Sequence, residues 1–242
     1  MSGGVPSQHM ALQSSWNAFS AFQVFGDHVP MDGFSLVVRI AADTGAVEQL
    51  LGARARQQGN LDPELAIMML RAGIGLAQSP AALFVYANPE ETIVVLRPES
   101  VQEVGQSLEV HDHLISRWAA RMALISGVWL PVSGHVYDFP DLGVVRKAIR
   151  RAVDVHEDRT PVRSARRLGA QLRGRGEPFH VSMLETLEEQ SHLLEEHGID
   201  MNALPGWWWR GVAARGVDVH DPSRVEIWPD LPASDVLVSM IG

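Results

Sequence analysis

Three carboxylates occupy positions where predicted strands end close to one another. Glu90 and Glu91 lie in a short polar connection between two β-prone runs, and Asp43 follows a third apolar run at 34–41. Carboxylates at neighbouring strand ends can hold magnesium, which then bridges and neutralises triphosphate oxygens. We therefore predict that the three side chains converge at one edge of a sheet and share a divalent cation. The alternative is that the two glutamates are ordinary solvated turn residues.

Basic and aromatic residues supply the remaining candidate chemistry. Clustered carboxylates raise each other's pKa, so the predicted cluster needs a metal or a neighbouring arginine such as Arg39 or Arg97. Lys147 is the single lysine, and the densest group of arginines lies at 159–175. That stretch is either a solvated helix face or a contact for an anion or RNA. The tryptophans at 207–209 either stack on bases or pack a turn against the core.

The composition excludes several classes of site. The chain has 242 residues and no cysteine, which removes disulfides, thiolate zinc sites, iron–sulfur clusters and thiol nucleophiles. Twenty basic and 29 acidic side chains give a formal net charge of −9, so the whole chain has no general attraction for nucleic acid. We find neither an export signal nor an apolar window of membrane length and therefore expect a cytoplasmic protein without membrane contact.

Hydrophobic periodicity predicts the elements that position these residues. Strands are expected near 34–42, 81–88, 91–97 and 135–140, with the second and third joined as a hairpin. Helices are expected at 44–56, from Asp62-Pro63 to Leu76, near 107–129 and near 141–157. The order β, α, β, β, α, β is that of a ferredoxin-like fold of the α+β class, in which an antiparallel sheet is covered on one side by helices.

The pattern changes after about residue 157. Residues 1–157 are predicted to form the catalytic or nucleotide-binding core, and residues 158–242 a mostly helical region that packs on it. The clearest helix of that second region is 183–197, an amphipathic segment that Gly198 stops.

Five segments, taken in order, resemble the motifs of one known family. They are F-S-L-V-V-R-I at 34–40, Y-A-N-P-E-E-T-I-V-V-L at 86–96, L-I-S at 114–116, D-V-H at 154–156 and G-I-D-M-N at 198–202, the last followed by Pro205 and Trp209-Arg210-Gly211. They resemble the V-V-R strand, the Y-G-Q-S-D-E-Y-S-F-V-F hairpin and the K-I-V-S, D-C-H and G-I-N-Y-N…P…W-Y-R-K-G motifs of the tRNA-His guanylyltransferase family. The resemblance covers roughly residues 16–215 and implies a polymerase-like palm that adds nucleotides in the 3′-to-5′ direction.

The resemblance implies roles for seven residues. Asp43 and Glu90 would hold magnesium, and Glu91 would join them in catalysis. Four further residues would contact the substrate, namely Arg39, His113, Ser116 and His156.

The departures from the family pattern fall on this chemistry. Ala41 stands at the family's first metal-binding aspartate, and Glu90 stands at the second. Asp43 lies two residues beyond Ala41, so a continuing strand would project it from the same face. The K-I-V-S lysine aligns with His113, which leaves arginine as the only strong phosphate ligand available.

Two functions follow as alternatives. The first is an active, divergent nucleotidyltransferase in which the three carboxylates hold magnesium and arginines hold the phosphates. The second is a relative that has lost nucleotidyl transfer. Such a protein would serve as a ligand-binding or regulatory protein, or would catalyse different chemistry on a small nucleoside-like ligand. Guanylylation of tRNA is disfavoured against both, because the chain is acidic and the metal and phosphate residues have changed.

A homo-oligomer is also expected, because the family is commonly oligomeric and the N-terminal stretch is rich in aromatic side chains. These rings belong to Trp16, Phe19, Phe22 and Phe25. An exposed apolar patch usually marks an interface. The alternative is that the rings fold back onto the protein's own core.

Overall fold

Runs of aliphatic and β-branched residues form an antiparallel sheet of seven strands in the described part of the chain. The computed structural model describes residues 15–25, 29, 31, 33–55, 61–100, 107–179, 186–218, 221, 223–229, 231 and 241. The strands are β1 Gln23–Val24, β2 Ser35–Ala42, β3 Ala82–Ala87, β4 Glu91–Leu96, β5 Val132–Phe139, β6 Val212–Gly216 and β7 Val225–Trp228. Their order across the sheet is β1-β5-β2-β4-β3-β6-β7. The four predicted strands are therefore confirmed as β2 to β5, in the ferredoxin-like sequence of elements.

Four of the helices begin after a residue whose side chain caps them, namely Asp43, Asp62, Asp141 and Thr186. Their bounds are α1 Thr44–Arg54, α2 Pro63–Ile74, α3 Ser107–Ser126, α4 Leu142–Asp158, α5 Thr160–Gly174, α6 Leu187–Glu196 and α7 Gly206–Arg210. Asp62 caps α2 as predicted, since its Oδ1 accepts the Leu65 N–H at 3.1 Å and Pro63 follows it. The expected helix at 183–197 is confirmed from Leu187 onwards, while its first residues lie outside the described ranges.

Helices cover both faces of the sheet, which corrects the expectation of one covered face. Alternate residues of β2 point to opposite sides. Leu36, Val38 and Ile40 pack in one core with side chains of α1, α2 and α3. Val37 packs in a second core with α4 and a 3-10 helix at Ser15–Phe22. Both neighbours Val37 and Val38 are fully buried, so β2 needs an apolar layer on each side.

The C-terminal region adds strands as well as helices. β6 pairs with β3, with Ala213 opposite Tyr86, and β7 pairs with β6. Two strands that extend the sheet, which the sequence did not predict, thus accompany the helices of this region. The helical part packs around Leu168 of α5, Leu194 of α6 and Trp208 of α7. The division at residue 157 stays a prediction.

The N-terminal aromatic rings fold back onto the protein's own core. The Trp16 ring centroid lies 4.7 Å from that of Tyr137, and Phe22 packs 5.2 Å from Phe139. Phe19 joins the same cluster, and Phe25 alone of the four is exposed. Most of the apolar surface on which the homo-oligomer was predicted is therefore buried within the protein. The homo-oligomer itself stays a prediction. Within the described residues, no helix is long and apolar enough to cross a membrane.

Candidate functional site

The turn of the β3–β4 hairpin presents the two predicted glutamates in an ordered way. Asn88 is buried, and its Oδ1 accepts the backbone N–H groups of Glu90 at 2.9 Å and Glu91 at 3.0 Å. Glu91 also starts β4 opposite Ala41 of β2. The turn therefore holds both glutamates beside the end of β2, as the sequence predicted for these two residues.

A corner between α4 and α5 places a row of basic residues against this turn. α4 ends at Asp158, and Pro161 near the start of α5 marks the break, since proline lacks an N–H for a continuing helix. Spacings of three and four residues put His156, Arg159 and Arg163 on one side of the corner. These three residues line a polar pocket with Arg39, Asn88, Glu90 and Glu91.

A second, mostly apolar compartment opens next to the polar pocket. Its apolar walls come from α1, α2 and the hairpin, through Val47, Leu51, Met69 and Pro89. Arg163, Arg166 and Arg167 of α5 line its other side. The two compartments share Ala42, Thr44, Glu90 and Arg163. One ligand can therefore place an apolar ring against the apolar walls and an anionic group against the arginines of α5.

Each glutamate of the turn is already paired with an arginine. Arg39 Nε lies 2.5 Å from Glu91 Oε2, and both side chains are largely buried. Arg163 Nε lies 3.5 Å from Glu90 Oε1, where the glutamate side chain is half exposed. Arg39 and Arg163 therefore already supply a counter-charge to these two carboxylates.

His156 is buried and orients Arg163. Its Nε2 lies 3.2 Å from the carbonyl oxygen of Trp208, which can only accept, so Nε2 carries the proton. The unprotonated Nδ1 then accepts from the guanidinium of Arg163. Arg163 also donates to the backbone carbonyl of His156. The predicted substrate residue His156 thus lines the pocket and directs an arginine into it.

Arg167 is the most buried cation of the site, with 6% of its surface exposed. Its Nη2 donates to the Pro89 carbonyl of the hairpin turn at 2.8 Å, and its guanidinium lies 5.5 Å from the ring centre of Trp208. Nη1 is buried and has no hydrogen-bond partner among the described residues. Burial lowers the pKa of Arg167, although a guanidinium stays charged in proteins. A buried donor of this kind is satisfied by an anion or a carbonyl oxygen.

Asp43 does not join the glutamates. Its Oδ1 accepts the Ala46 N–H at 2.8 Å, which makes it the N-cap of α1. No group of three or more histidine, aspartate or glutamate side chains that could hold a metal occurs in the part of the chain that the structure describes. The predicted convergence of three carboxylates is therefore wrong. The physical reason is that the first turn of α1 leaves N–H groups for which the nearest carboxylate is the natural partner.

The structure does not bring His113 and Ser116 to the pocket. Helix α3 turns its apolar stripe, which includes Leu114 and Trp118, towards the core on the face of the sheet opposite α4. Because His113 and Ser116 lie on the other side of this helix, both are exposed. Their predicted contact with substrate has no support from this arrangement.

Three residues of the site were not singled out individually from the sequence. Arg163, Arg166 and Arg167 were seen only as members of a basic stretch, for which a solvated face and an anion contact were both open. Arg163 and Arg167 reach the pocket, while Arg173 and Arg175 of the same stretch pair with Glu48 and Glu177. The signal was the spacing of four between 159, 163 and 167, which places these arginines on one helix face. For Trp208 the packing alternative holds, since its Nε1 donates to Ser164 at 3.0 Å.

No protein-family model and no curated protein matches the sequence. Solved structures do match. A bacterial tRNA(His) guanylyltransferase-like protein in complex with ATP is similar over 93% of this chain and 96% of its own, with 14% identity and a TM-score of 0.64. A bacterial tRNA(His) guanylyltransferase-like protein in complex with GTP matches over 93% and 95%, with 13% identity and a TM-score of 0.57.

A more distant enzyme shares the same architecture. The tRNA(His) guanylyltransferase of Saccharomyces cerevisiae is similar over 78% of this chain and 88% of its own, with 11% identity and a TM-score of 0.55. At these identities the likeness establishes a shared fold. The chain therefore has the α+β palm fold of the tRNA(His) guanylyltransferase structures, as the resemblance in its sequence implied.

Proposed function

We propose that the chain binds a nucleotide in the pocket between the hairpin turn and the α4–α5 corner, without a bound divalent metal. The observation that carries this proposal is Arg167, a buried cation whose Nη1 lacks a partner among the described residues at a cavity also lined by Arg163 and Arg166. Arginine binds phosphate oxygens through two parallel N–H groups. Two structures of the same fold hold ATP and GTP, which supports a nucleotide as the ligand.

The two sides of the mostly apolar compartment suit the two parts of a nucleotide. The apolar walls formed by Val47, Leu51 and Met69 are suited to a nucleobase, which buries its ring faces favourably. The arginines of α5 are suited to the phosphate. The pairing of Glu91 with Arg39 and of Glu90 with Arg163 supports binding without metal, because both carboxylates already have a counter-charge.

Magnesium-dependent nucleotidyl transfer is the second candidate function. The half-exposed side chain of Glu90 favours it, because this carboxylate can exchange Arg163 for a metal without leaving the pocket. The N-cap role of Asp43 and the alanine at position 41 weigh against it. A transfer assay with labelled ATP or GTP, magnesium and tRNA would detect this activity, and Glu90→Gln would abolish it. Contact with tRNA itself stays a disfavoured prediction.

Calorimetric titration tests nucleotide binding directly. We expect saturable binding of at least one of AMP, GMP, ATP and GTP in the presence of EDTA. Arg163→Gln should weaken that binding about tenfold or more, since a hydrogen bond to a charged group contributes roughly 1.5–3 kcal/mol. Arg175→Gln is the matched control, because Arg175 follows the far end of α5 and pairs with Glu177. Absence of binding for all four nucleotides, with and without magnesium, would refute the proposal.

A further inference from the structure

The charge of the pocket restricts the ligand that it can neutralise. Among the described residues, five arginines and three glutamates line the two joined compartments, which gives a formal charge of +2, and one of these glutamates, Glu48, is already paired with Arg173 outside them. The arginines are 39, 159, 163, 166 and 167, and the glutamates are 48, 90 and 91. A phosphomonoester carries about −1.5 to −2 at pH 7, because its second pKa is near 6. The lining therefore has enough positive charge to neutralise a phosphomonoester dianion.

A triphosphate is usually bound together with a metal ion that neutralises part of its charge. Magnesium in nucleotide sites binds one or two carboxylates and bridges the phosphates. Here Glu91 pairs with the largely buried Arg39 at 2.5 Å, so a metal would have to break a close ion pair. One carboxylate oxygen of Asp43, Oδ1, accepts the Ala46 N–H at the N-terminus of α1. Without the metal, the additional phosphates would approach Glu90 and Glu91, and like charges repel.

The buried Arg167 supplies a donor suited to an anionic group. Arg167 is held by the Pro89 carbonyl and by the face of Trp208, so its position is fixed before a ligand arrives. Its Nη1 is buried without a hydrogen-bond partner among the described residues, and the Arg167 side chain lines the mostly apolar compartment that Arg163 also lines. Two guanidinium groups that are already in position can bind a terminal phosphate from two sides.

We infer that the pocket takes a nucleoside monophosphate, bound as its phosphomonoester dianion, in preference to a magnesium-complexed nucleoside triphosphate. This inference rests on the proposed nucleotide binding and names the ligand class of the same site. The carboxylates Glu90 and Glu91 then keep Arg163 and Arg39 in place.

Competition between matched nucleotides tests the inference on the wild-type protein. AMP and ATP, and GMP and GTP, are titrated calorimetrically with EDTA and again with excess magnesium chloride. We expect one monophosphate to bind at least tenfold more tightly than its triphosphate under both conditions, with magnesium changing its Kd less than twofold. A triphosphate that binds equally or more tightly would overturn the inference while leaving nucleotide binding intact. Binding of none of the four would reject the proposed function and this inference together.

Two variants separate the effect of the buried Arg167 from the effect of losing one positive charge anywhere on the protein. Arg167→Gln should weaken monophosphate binding at least tenfold, whereas Arg175→Gln should change it less than twofold, although each removes one positive charge. Circular dichroism establishes whether Arg167→Gln is folded, and the nucleotide ranking on the wild type decides the inference if it is not. Equal effects of the two substitutions would contradict the role given to Arg167.

Discussion

Arginine side chains pair with both Glu90 and Glu91 at the turn of the β3–β4 hairpin. Arg39 lies 2.5 Å from Glu91, and Arg163 lies 3.5 Å from Glu90. A guanidinium differs from a metal in that it donates directional hydrogen bonds and supplies no Lewis acid. The pocket is consequently suited to holding a phosphate, and it lacks the three-carboxylate arrangement that we predicted for activating one.

Substitution of Asp43 distinguishes a helix cap from a metal ligand. Asparagine caps helices as well as aspartate, so Asp43→Asn should leave the melting temperature and nucleotide affinity unchanged. Asp43→Ala should cost about 1 kcal/mol of unfolding free energy through the lost cap and still bind nucleotide. Thermal denaturation and calorimetry measure both quantities. Loss of magnesium-dependent binding in Asp43→Asn would instead identify Asp43 as a ligand of the ion.

The sequence predicted the N-cap role of Asp62 but not that of Asp43, although both residues cap helices. Asp62 is followed by proline, which points to a helix start, whereas Asp43 is followed by Thr44 and Gly45 and was also the nearest carboxylate to a strand end. The same side chain suits a cap and a metal site equally well. The choice depends on the position of the α1 N–H groups, which the sequence does not display.

At the scale of elements, α5 is held against α1 by two glycines that allow the backbones to touch. A Cβ added at Gly174 would lie 2.1 Å from the carbonyl oxygen of Gly52. The contact sets the distance between α5, which carries Arg163 and Arg167, and the apolar walls that α1 contributes. Close backbone packing of these two helices thus determines the width of the pocket.

Gly174→Ala should therefore destabilise the fold and weaken nucleotide binding. Overpacking against a backbone atom costs about 1–3 kcal/mol, because the backbone has little room to move. Gly52→Ala is the milder comparison, since its Cβ would lie 3.3 Å from the Ala170 carbonyl and alanine improves helix propensity. Chemical denaturation measures both variants. A Gly174→Ala protein as stable as Gly52→Ala would show that the two helices do not meet as described.

The sequence predicted where the helices and strands lie along the chain better than it predicted which face of the sheet each helix covers. The periodicity of α3, with Leu114, Trp118 and Met122 on one stripe, correctly indicated a helix and its buried side. It contained no information on which face of the sheet that stripe would cover, so α3 and α4 were expected on one side. The strands β6 and β7 escaped prediction because segments of five and four residues carry too little alternation to be recognised.

At the scale of the whole molecule, the N-terminal segment is part of the core and not a free apolar surface. Trp16 is buried against Tyr137 and Phe139, which lie on β5. Its ring therefore joins the chain's first described residues to the sheet. The oligomeric state remains a separate property that light scattering at micromolar concentration measures, with a homo-oligomer as the prediction from the sequence.

Removal of the Trp16 ring should lower the free energy of unfolding, and this loss does not depend on the oligomeric state. Trp16→Ala is expected to cost about 3–5 kcal/mol of unfolding free energy, as for other large aromatic truncations in a core. Phe25→Ala is the matched control and should leave stability unchanged, because 77% of the Phe25 surface is exposed. Denaturant titration of the two variants provides the comparison. A dimer-to-monomer change with unaltered stability of the protomer would contradict the core position of Trp16.

The central claim is that arginines and not a divalent metal hold the nucleotide phosphate. Crystals grown with a nucleoside monophosphate and manganese chloride test it most directly, because anomalous scattering locates manganese independently of the ligand. We predict a phosphate bound by Arg163 and Arg167, and no manganese within bonding distance of Glu90, Glu91 or Asp43. Manganese coordinated by Glu90 and Asp43, with the phosphate bound to the metal, would contradict the account.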